Sequence, residues 1–231
     1  LLPVIGFIQV GPQFAADRYA YLPLAGPFIL AGLAASELLA LRAGGVLRSL
    51  SALLAAIAIG FLCLLTVQQQ SVWKDSVSLW DHQIRLYPGA SPIAYYNRGM
   101  ASGEKGEHLK AIEYFNIAVS MEPAFIKAYL NRGFSFSATG YSEKAIEDFG
   151  RVLELDPDYA KAYLNRGFLY LQSGENALAL KDLSEAVRLD ENNGFALYNL
   201  GVAYSRAGDE AMSKSLFERA AKRGYSVPPS P

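Results

Sequence analysis

Hydrophobic residues follow two different patterns along the 231-residue chain. Up to residue 67 they form long apolar runs with few charges, and after Lys74 they recur at the three- and four-residue spacing of amphipathic helices. Runs of about twenty apolar residues predict helices that cross a membrane, whereas amphipathic helices pack against one another in water. We therefore expect an all-α chain in which a membrane segment precedes a water-exposed helical segment.

The second segment repeats itself with a period of 34 residues. Residues 127–134 read Lys-Ala-Tyr-Leu-Asn-Arg-Gly-Phe, and the same eight residues return at 161–168. Extending this register in both directions leaves residues 228–231 as a tail and gives four copies, at residues 92–125, 126–159, 160–193 and 194–227. A fixed period of this length predicts a stacked array, in which each copy buries its hydrophobic face against its neighbours.

Small and large residues keep fixed places within each copy, and these places predict a pair of helices. The eighth position is always glycine and the twentieth is alanine or serine, so two helices can approach closely. The fifteenth position is a glycine that can adopt the left-handed conformation ending a helix, at Gly106, Gly140, Gly174 and Gly208. The pattern resembles the tetratricopeptide repeat. That resemblance implies an α-solenoid, a superhelix whose first helices line the concave side.

Two apolar runs before the array predict a transmembrane helical hairpin. Residues 22–41 and 50–67 are each close to the length that crosses a bilayer. The short loop between them carries Arg42 and Arg48 and no acidic residue, so the positive-inside rule places this loop in the cytoplasm. The array would then lie on the non-cytoplasmic side, in a periplasm or an organelle lumen. Glu37 either pairs with Arg42 at the membrane interface or has a function at membrane depth.

The ends of the membrane segment give two further expectations. Residues 1–10 are apolar but too short to cross a bilayer, so they are either the tail of an earlier span or a buried loop segment. Because the chain also opens without a methionine, we expect residues 1–67 to be a fragment of a larger membrane module. Residues 68–91 predict an amphipathic helix that caps the first repeat, although Trp73 and Trp80 would also suit a membrane interface.

One face of the first helices carries the candidate binding residues. Positions two, six and nine lie on the same side of a helix, and position six is always asparagine, at Asn97, Asn131, Asn165 and Asn199. This row is flanked by Tyr96, Met100, Phe134 and Phe168, with Lys127 and Lys161 at position two. A side-chain amide both donates and accepts hydrogen bonds, so the row can bind the backbone of an extended polypeptide with apolar or acidic character. Alternatively, the asparagines bond within or between repeats and fix the superhelical pitch.

The seventh position carries an arginine in the first three copies, on the face where the two helices pack. A guanidinium there needs a partner, and the aspartates at position twenty-three are suitable ones. We therefore predict structural ion pairs between Arg132 and Asp148 and between Arg166 and Asp182. The alternative is that these arginines bind a ligand.

The composition gives no sign of catalysis, of a cofactor or of nucleic-acid binding. The net charge of -1 provides no basic surface for nucleic acid. The single cysteine, Cys63, lies in an apolar run, and the histidines, His82 and His108, lack the neighbouring residues of a metal or nucleophilic site. We expect a chain that binds a polypeptide, with no cofactor, no metal and no catalytic residue of its own.

A short motif before the first predicted span resembles one family of membrane enzymes. The motif consists of Asp17, Arg18, Tyr19, Tyr21, Leu22, Pro23 and Gly26. Followed by two spans and the repeats, it resembles the end of the membrane module in the transmembrane and tetratricopeptide-repeat-containing O-mannosyltransferases and their bacterial relatives. The resemblance implies a polytopic glycosyltransferase that uses a polyprenyl-phosphate-linked sugar and recruits acceptors through its repeats. Its catalytic acidic residues would lie in an earlier loop, upstream of this chain.

Within that resemblance, Arg18 is the candidate for contact with a membrane lipid, since a cation at the membrane interface suits a lipid phosphate. A simple pair with Asp17 is the alternative. Two other functions are compatible with the same sequence. One is a membrane-anchored scaffold that assembles proteins without any chemistry, and the other is a cytoplasmic array that serves secretion or envelope assembly and needs the opposite topology.

Overall fold

The computed structural model describes residues 75–89 and 91–225, together with ten positions from residue 32 to residue 64. The chain divides into two compact units, Leu1–Leu79 and Trp80–Pro231. Every regular element among the described residues is helical, as the hydrophobic pattern predicts. The continuous helices are α1 (Ser76–Leu86), α2 (Pro92–Glu104), α3 (His108–Met121), α4 (Ile126–Ala138), α5 (Ser142–Leu155), α6 (Ala160–Ser173), α7 (Asn176–Leu189), α8 (Gly194–Arg206) and α9 (Glu210–Lys222).

Each copy of the sequence repeat contains one pair of these helices, beginning with α2 and α3. A glycine with a φ angle between 76° and 86° ends the first helix of every pair, at Gly106, Gly140, Gly174 and Gly208. The next residue then donates its backbone N–H back to the helix, as Glu107 does to the Ser102 carbonyl at 3.0 Å. Because other residues rarely adopt this conformation, the turn geometry explains the regular glycine spacing. The predicted helix pairs and their glycine turns are confirmed.

Close packing within each pair depends on the glycine at position eight. A Cβ atom at Gly133 would lie 2.8 Å from Cε1 of Phe149, and a Cβ atom at Gly99 would lie 2.7 Å from Cε1 of Phe115. Both phenylalanines are 1% exposed, so their rings lie within the packed core. The two helices can therefore approach to this distance only where the first helix carries no side chain.

Side chains from the later part of α1 contact the first pair. Ile84 packs against the cluster that contains Tyr95 and Ala118, and the Tyr95 hydroxyl donates a hydrogen bond to the Pro88 carbonyl at 2.7 Å. These contacts place the described part of the linker where a capping helix was predicted. The helix that the structure describes in this segment is Ser76–Leu86, and residues 68–74 and 90 of the predicted segment lie outside the described residues.

The last pair presents a more polar outer face. Lys214 in α9 is exposed and occupies a repeat position that is isoleucine or leucine in the three preceding second helices. After α9 the chain turns back, and the ring of Tyr225 lies 5.8 Å from Phe195 and 5.0 Å from Tyr198. Polar outer positions and a covering aromatic ring suit a helix pair that faces solvent on one side.

The predicted membrane hairpin lies largely outside the described residues. No helix in the part of the chain that the structure describes is long and apolar enough to cross a membrane. The two spans therefore stay predictions from the sequence, at residues 22–41 and 50–67. The lipid contact of Arg18 before them stays a prediction as well. The tetratricopeptide α-solenoid is the part of the predicted fold that the structure confirms.

Candidate polypeptide-binding groove

An open groove of about 500 Å³ runs across the first helices of the second and third pairs. Because positions two, five, six and nine of a helix share one side, α4 and α6 present equivalent residues to it. Tyr96 of α2, Tyr159 just before α6 and Asn193 just before α8 complete the wall. The lining residues are Tyr96, Lys127, Leu130, Asn131, Phe134, Tyr159, Lys161, Leu164, Asn165 and Asn193.

Two of the four predicted asparagines line this groove, and both are held by their own helices. The Asn131 amide donates to the Lys127 carbonyl at 2.8 Å, and the Asn165 amide donates to the Lys161 carbonyl at 2.5 Å. These bonds, one turn back along each helix, fix the amides in place. Asn131 also donates to the Tyr96 hydroxyl at 3.2 Å, so this asparagine links the first two repeats as well as facing the groove.

The other two asparagines do not line the groove. Asn199 is only 3% exposed, and its amide donates to the Phe195 carbonyl at 2.8 Å. Asn97 in α2 is half-buried. Phe168, another predicted groove residue, packs with its ring 5.8 Å from that of Phe195. The row of four amides that the sequence suggests is thus reduced, at this groove, to the pair in α4 and α6.

The groove is positively charged. Lys127 and Lys161 are exposed, and neither forms an ion pair with any described residue. No aspartate or glutamate is among the lining residues, and the remaining polar groups are amides and tyrosine hydroxyls. A groove with two free ammonium groups and no carboxylate attracts an anionic ligand.

Aromatic side chains form the apolar part of the wall. The Phe134 side chain is 41% exposed and meets the buried Phe149 ring edge-on at 5.6 Å. Tyr96 packs against Phe125, with ring centroids 5.0 Å apart, and its hydroxyl accepts the hydrogen bond from Asn131 in the groove wall. Burial raises the pKa of the Tyr96 hydroxyl, the nearby Tyr159 adds to this effect, and the hydrogen bond from Asn131 opposes it.

Both predicted arginine–aspartate pairs are present in the structure, away from the groove. Arg132 makes two hydrogen bonds to Asp148, at 2.8 and 2.6 Å, and Arg166 makes two to Asp182, at 2.6 and 3.0 Å. Burial raises the pKa of the Asp148 carboxyl, while the hydrogen bond and charge of Arg132 oppose that effect. Hydrogen bonding to Asp182 raises the pKa of the Arg166 guanidinium. Two bonds per pair across two helices indicate a structural role.

The first arginine has a partner that the repeat pattern does not reveal. The first copy has Tyr114 where the second and third copies have aspartate, and the Arg98 guanidinium lies 4.8 Å from the centre of the Tyr114 ring. Arg98 instead bonds to Asp81 of α1 at 2.6 Å and to the Ser102 hydroxyl at 2.6 Å. The helix before the array therefore provides the carboxylate that the first repeat lacks.

Sequence reasoning missed four residues of the groove wall: Leu130, Leu164, Tyr159 and Asn193. The two leucines occupy position five, which shares a helix face with positions two, six and nine. Tyr159 and Asn193 occupy position thirty-four, immediately before the first helix of the next pair. Position five of each first helix, and the residue immediately before that helix, are the sequence positions that indicate these four residues.

Two family models match the repeat region. The model described as TPR repeat matches residues 138–174 and 169–208, and the model described as tetratricopeptide repeat matches residues 93–125 and 196–223. No curated protein matches the sequence. These matches confirm the tetratricopeptide repeats.

Solved structures with a similar fold include three with high coverage. A crystal structure of MamA has a TM-score of 0.61 at 20% identity and covers 64% of this chain and 86% of its own. MamA from Desulfovibrio magneticus RS-1 has a TM-score of 0.61 at 18% identity, with coverage of 69% and 92%. A thermophilic repeat protein from Thermus thermophilus has a TM-score of 0.52 at 21% identity, with coverage of 64% and 80%. Similarity at these identities establishes the fold alone.

Proposed function

Because this chain carries an array of tetratricopeptide repeats, we propose that it is a protein-binding scaffold whose groove holds an extended, acidic segment of a partner polypeptide. The observation that carries this proposal is the charge of the groove. Lys127 and Lys161 are exposed without an ion-pair partner among the described residues, and no carboxylate lines the wall beside them. An acidic partner would supply the missing counter-charges.

The groove also suits a chain in an extended conformation. The Asn131 and Asn165 amides face it from successive first helices and carry hydrogen-bonding groups that match a peptide backbone. Phe134 leaves part of its ring exposed beside them, which favours one apolar side chain near the acidic ones. An extended polypeptide combines such main-chain and side-chain contacts without needing a fold of its own.

The proposal can be tested with the full 231-residue chain and a fluorescently labelled decamer of glutamate. We expect the decamer to bind, a serine decamer not to bind, and the double variant Lys127→Ala, Lys161→Ala to bind the glutamate decamer about tenfold more weakly. Fluorescence anisotropy measures all three. Binding should also weaken as salt is added, because the attraction is between exposed charges.

A matched control removes two lysines from elsewhere on the array. Lys181 and Lys214 are exposed on second helices and do not line the groove. The variant Lys181→Ala, Lys214→Ala should bind the glutamate decamer as the unaltered chain does. Equal losses in both double variants would show that the decamer is attracted by net charge alone, and would contradict a groove-specific site.

Membrane attachment is the second part of the proposal. Residues 1–67 would anchor the array, and the pair Arg42 and Arg48 supports placing the repeats on the non-cytoplasmic side. Alkaline phosphatase fused after residue 231 is active only outside the cytoplasm and reports this placement directly. An inactive fusion, together with an active cytoplasmic reporter at the same site, would contradict it.

A role in glycosylation is supported only by the motif at residues 17–26. The comparisons add no support for it, and they favour the scaffold without chemistry. If the role is real, the full protein should transfer a sugar from a polyprenyl-phosphate donor, and Arg18→Ala should reduce that transfer while leaving decamer binding unchanged. A lack of transfer by the unaltered protein would leave the scaffold as its function.

A further inference from the structure

The two groove asparagines keep different numbers of donors for a bound chain. An asparagine side chain has two N–H donors and one carbonyl acceptor. Asn131 commits both donors inside the protein, one to the Lys127 carbonyl and one to the Tyr96 hydroxyl. Asn165 commits one, to the Lys161 carbonyl. Its second N–H has no partner within the described residues, and Asn165 is one of the residues that line the groove.

One position of the repeat causes this difference. Tyr96 is the fifth residue of the first copy, and its hydroxyl reaches the asparagine of the next copy, 35 residues later. The fifth residue of the second copy is Leu130, which lines the groove beside Asn165. Leucine has no hydroxyl to accept a hydrogen bond. The same octapeptide therefore presents different hydrogen-bonding groups in α4 and α6.

We infer that Tyr96 determines which hydrogen bonds the groove can form with the main chain of its ligand. It holds the second amide hydrogen of Asn131, so Asn131 can only accept a hydrogen bond from a bound peptide, whereas Asn165 can both donate and accept. An amide that does both can pair with the N–H and the carbonyl of one peptide residue, and Asn165 therefore sets the position of the bound chain. This inference rests on the proposed function, and it names Tyr96 and Asn165 as the residues that set the register of the bound chain.

Tyr96 also provides a hydrogen-bond donor in place of the Asn131 N–H that it occupies. Its oxygen accepts from Asn131, so its own hydrogen remains available to a ligand in the groove. Burial keeps the pKa of this hydroxyl above the ordinary tyrosine value, so it is protonated at neutral pH. A hydroxyl that accepts one hydrogen bond becomes a better donor in another, because the two bonds polarise each other. The first repeat thus offers a hydroxyl donor where the third offers an amide donor.

Binding of the labelled glutamate decamer to a set of variants of the full chain tests the inference. We expect Asn165→Ala to weaken binding about tenfold and Asn131→Ala about threefold, since a neutral hydrogen bond contributes roughly this range. In a Tyr96→Phe background the amide of Asn131 is released, so Asn131→Ala should now cost about tenfold. The cost of Asn165→Ala should be the same in both backgrounds. Asn97→Ala, outside the groove, is the control that should change nothing.

A measurement without any ligand checks the underlying geometry. In nuclear magnetic resonance spectra, the two side-chain amide hydrogens of Asn131 should exchange slowly with water, and one of the two should exchange faster after Tyr96→Phe. One hydrogen of Asn165 should exchange fast in both proteins. This readout does not depend on peptide affinity, and it also shows whether each variant is folded.

The outcomes separate the inference from the proposed function. If the unaltered chain fails to bind the decamer, the proposed acidic ligand is wrong. If the decamer binds but Asn131→Ala and Asn165→Ala cost the same, in both backgrounds, the role of Tyr96 is wrong and the groove proposal stands. Unequal costs that become equal after Tyr96→Phe support both.

Discussion

The second and third repeats share the same eight residues at positions two to nine, yet the arginine of this octapeptide has different neighbours in the two places. Arg132 bonds to Asp148 within its own repeat and also donates from Nη1 to Asn116 of the preceding repeat at 2.8 Å. Arg166 bonds to Asp182 in the same way, but the residue equivalent to Asn116 is Gly150. Nη1 of Arg166 would lie 3.6 Å from a Cβ atom at that glycine.

This difference separates contacts within one repeat from contacts between neighbouring repeats. Contacts within a helix pair are repeated because both partners belong to the same copy of the sequence. Contacts across a junction join different copies, so they change whenever one neighbour changes. Identical octapeptides can therefore contribute differently to the stability of the array, in which each repeat depends on its neighbours.

The largest expected effect comes from removing the aspartates one at a time. Breaking a buried ion pair leaves an unpaired charge, and we expect Asp182→Ala to lower the free energy of unfolding by about 3–4 kcal/mol. Asp148→Ala should cost about 1 kcal/mol less, because Arg132 retains its hydrogen bond to Asn116. Urea unfolding followed by circular dichroism measures both. Equal losses would mean that the junction bond to Asn116 adds nothing.

Two glycines of the second repeat should respond in opposite directions to the same change. Gly133→Ala places a methyl group against the fixed Phe149 ring and should lower the free energy of unfolding by about 1–3 kcal/mol. Gly150→Ala meets only ordinary contact distances inside α5, so it should raise the free energy of unfolding by about 0.5–1 kcal/mol. Thermal unfolding of the two variants side by side checks the signs. A loss of stability in Gly150→Ala would show that the space between Gly150 and the Arg166 guanidinium must stay empty for the array to keep its stability.

The smallest expected effect restores the missing junction bond. Gly150→Asn should place an amide oxygen near Nη1 of Arg166, and the new hydrogen bond should contribute about 0.5–1 kcal/mol, which offsets the lower helix propensity of asparagine relative to alanine. The reciprocal change, Asn116→Ala, should remove a similar amount from the first junction. Coupling of Gly150→Asn to Arg166→Gln in a double-mutant cycle isolates the bond. A coupling energy near zero would show that the asparagine gains nothing from the arginine.

Features confined to one repeat could be predicted from the sequence. The glycine turns and the approach of Gly133 to Phe149 follow from spacing, because backbone conformation and helix faces depend on nearby residues. The pairs of Arg132 and Arg166 could also be predicted, since each aspartate lies one helix away in the same copy. All of these contacts are formed in the structure.

Features that join two repeats could not be predicted in the same way. The bond between Tyr96 and Asn131, and the burial of Asn199, depend on how one pair is rotated against the next. That rotation is set by many small packing contacts, which a period of 34 residues does not specify. The sequence therefore predicted a row of four amides, whereas the geometry leaves two of them beside the groove. The peptide-binding role of those two stays a prediction.

The ion pair between Arg98 and Asp81 limits how this array could be shortened or extended by recombination. The second and third repeats each contain both members of their pair, so either could be duplicated or deleted as a block without leaving an unpaired charge. The first repeat cannot be moved in this way, because its carboxylate lies in α1, before the repeat begins. The transferable unit at this end therefore starts with α1, and a graft that begins at Pro92 would need Tyr114→Asp to supply the missing partner.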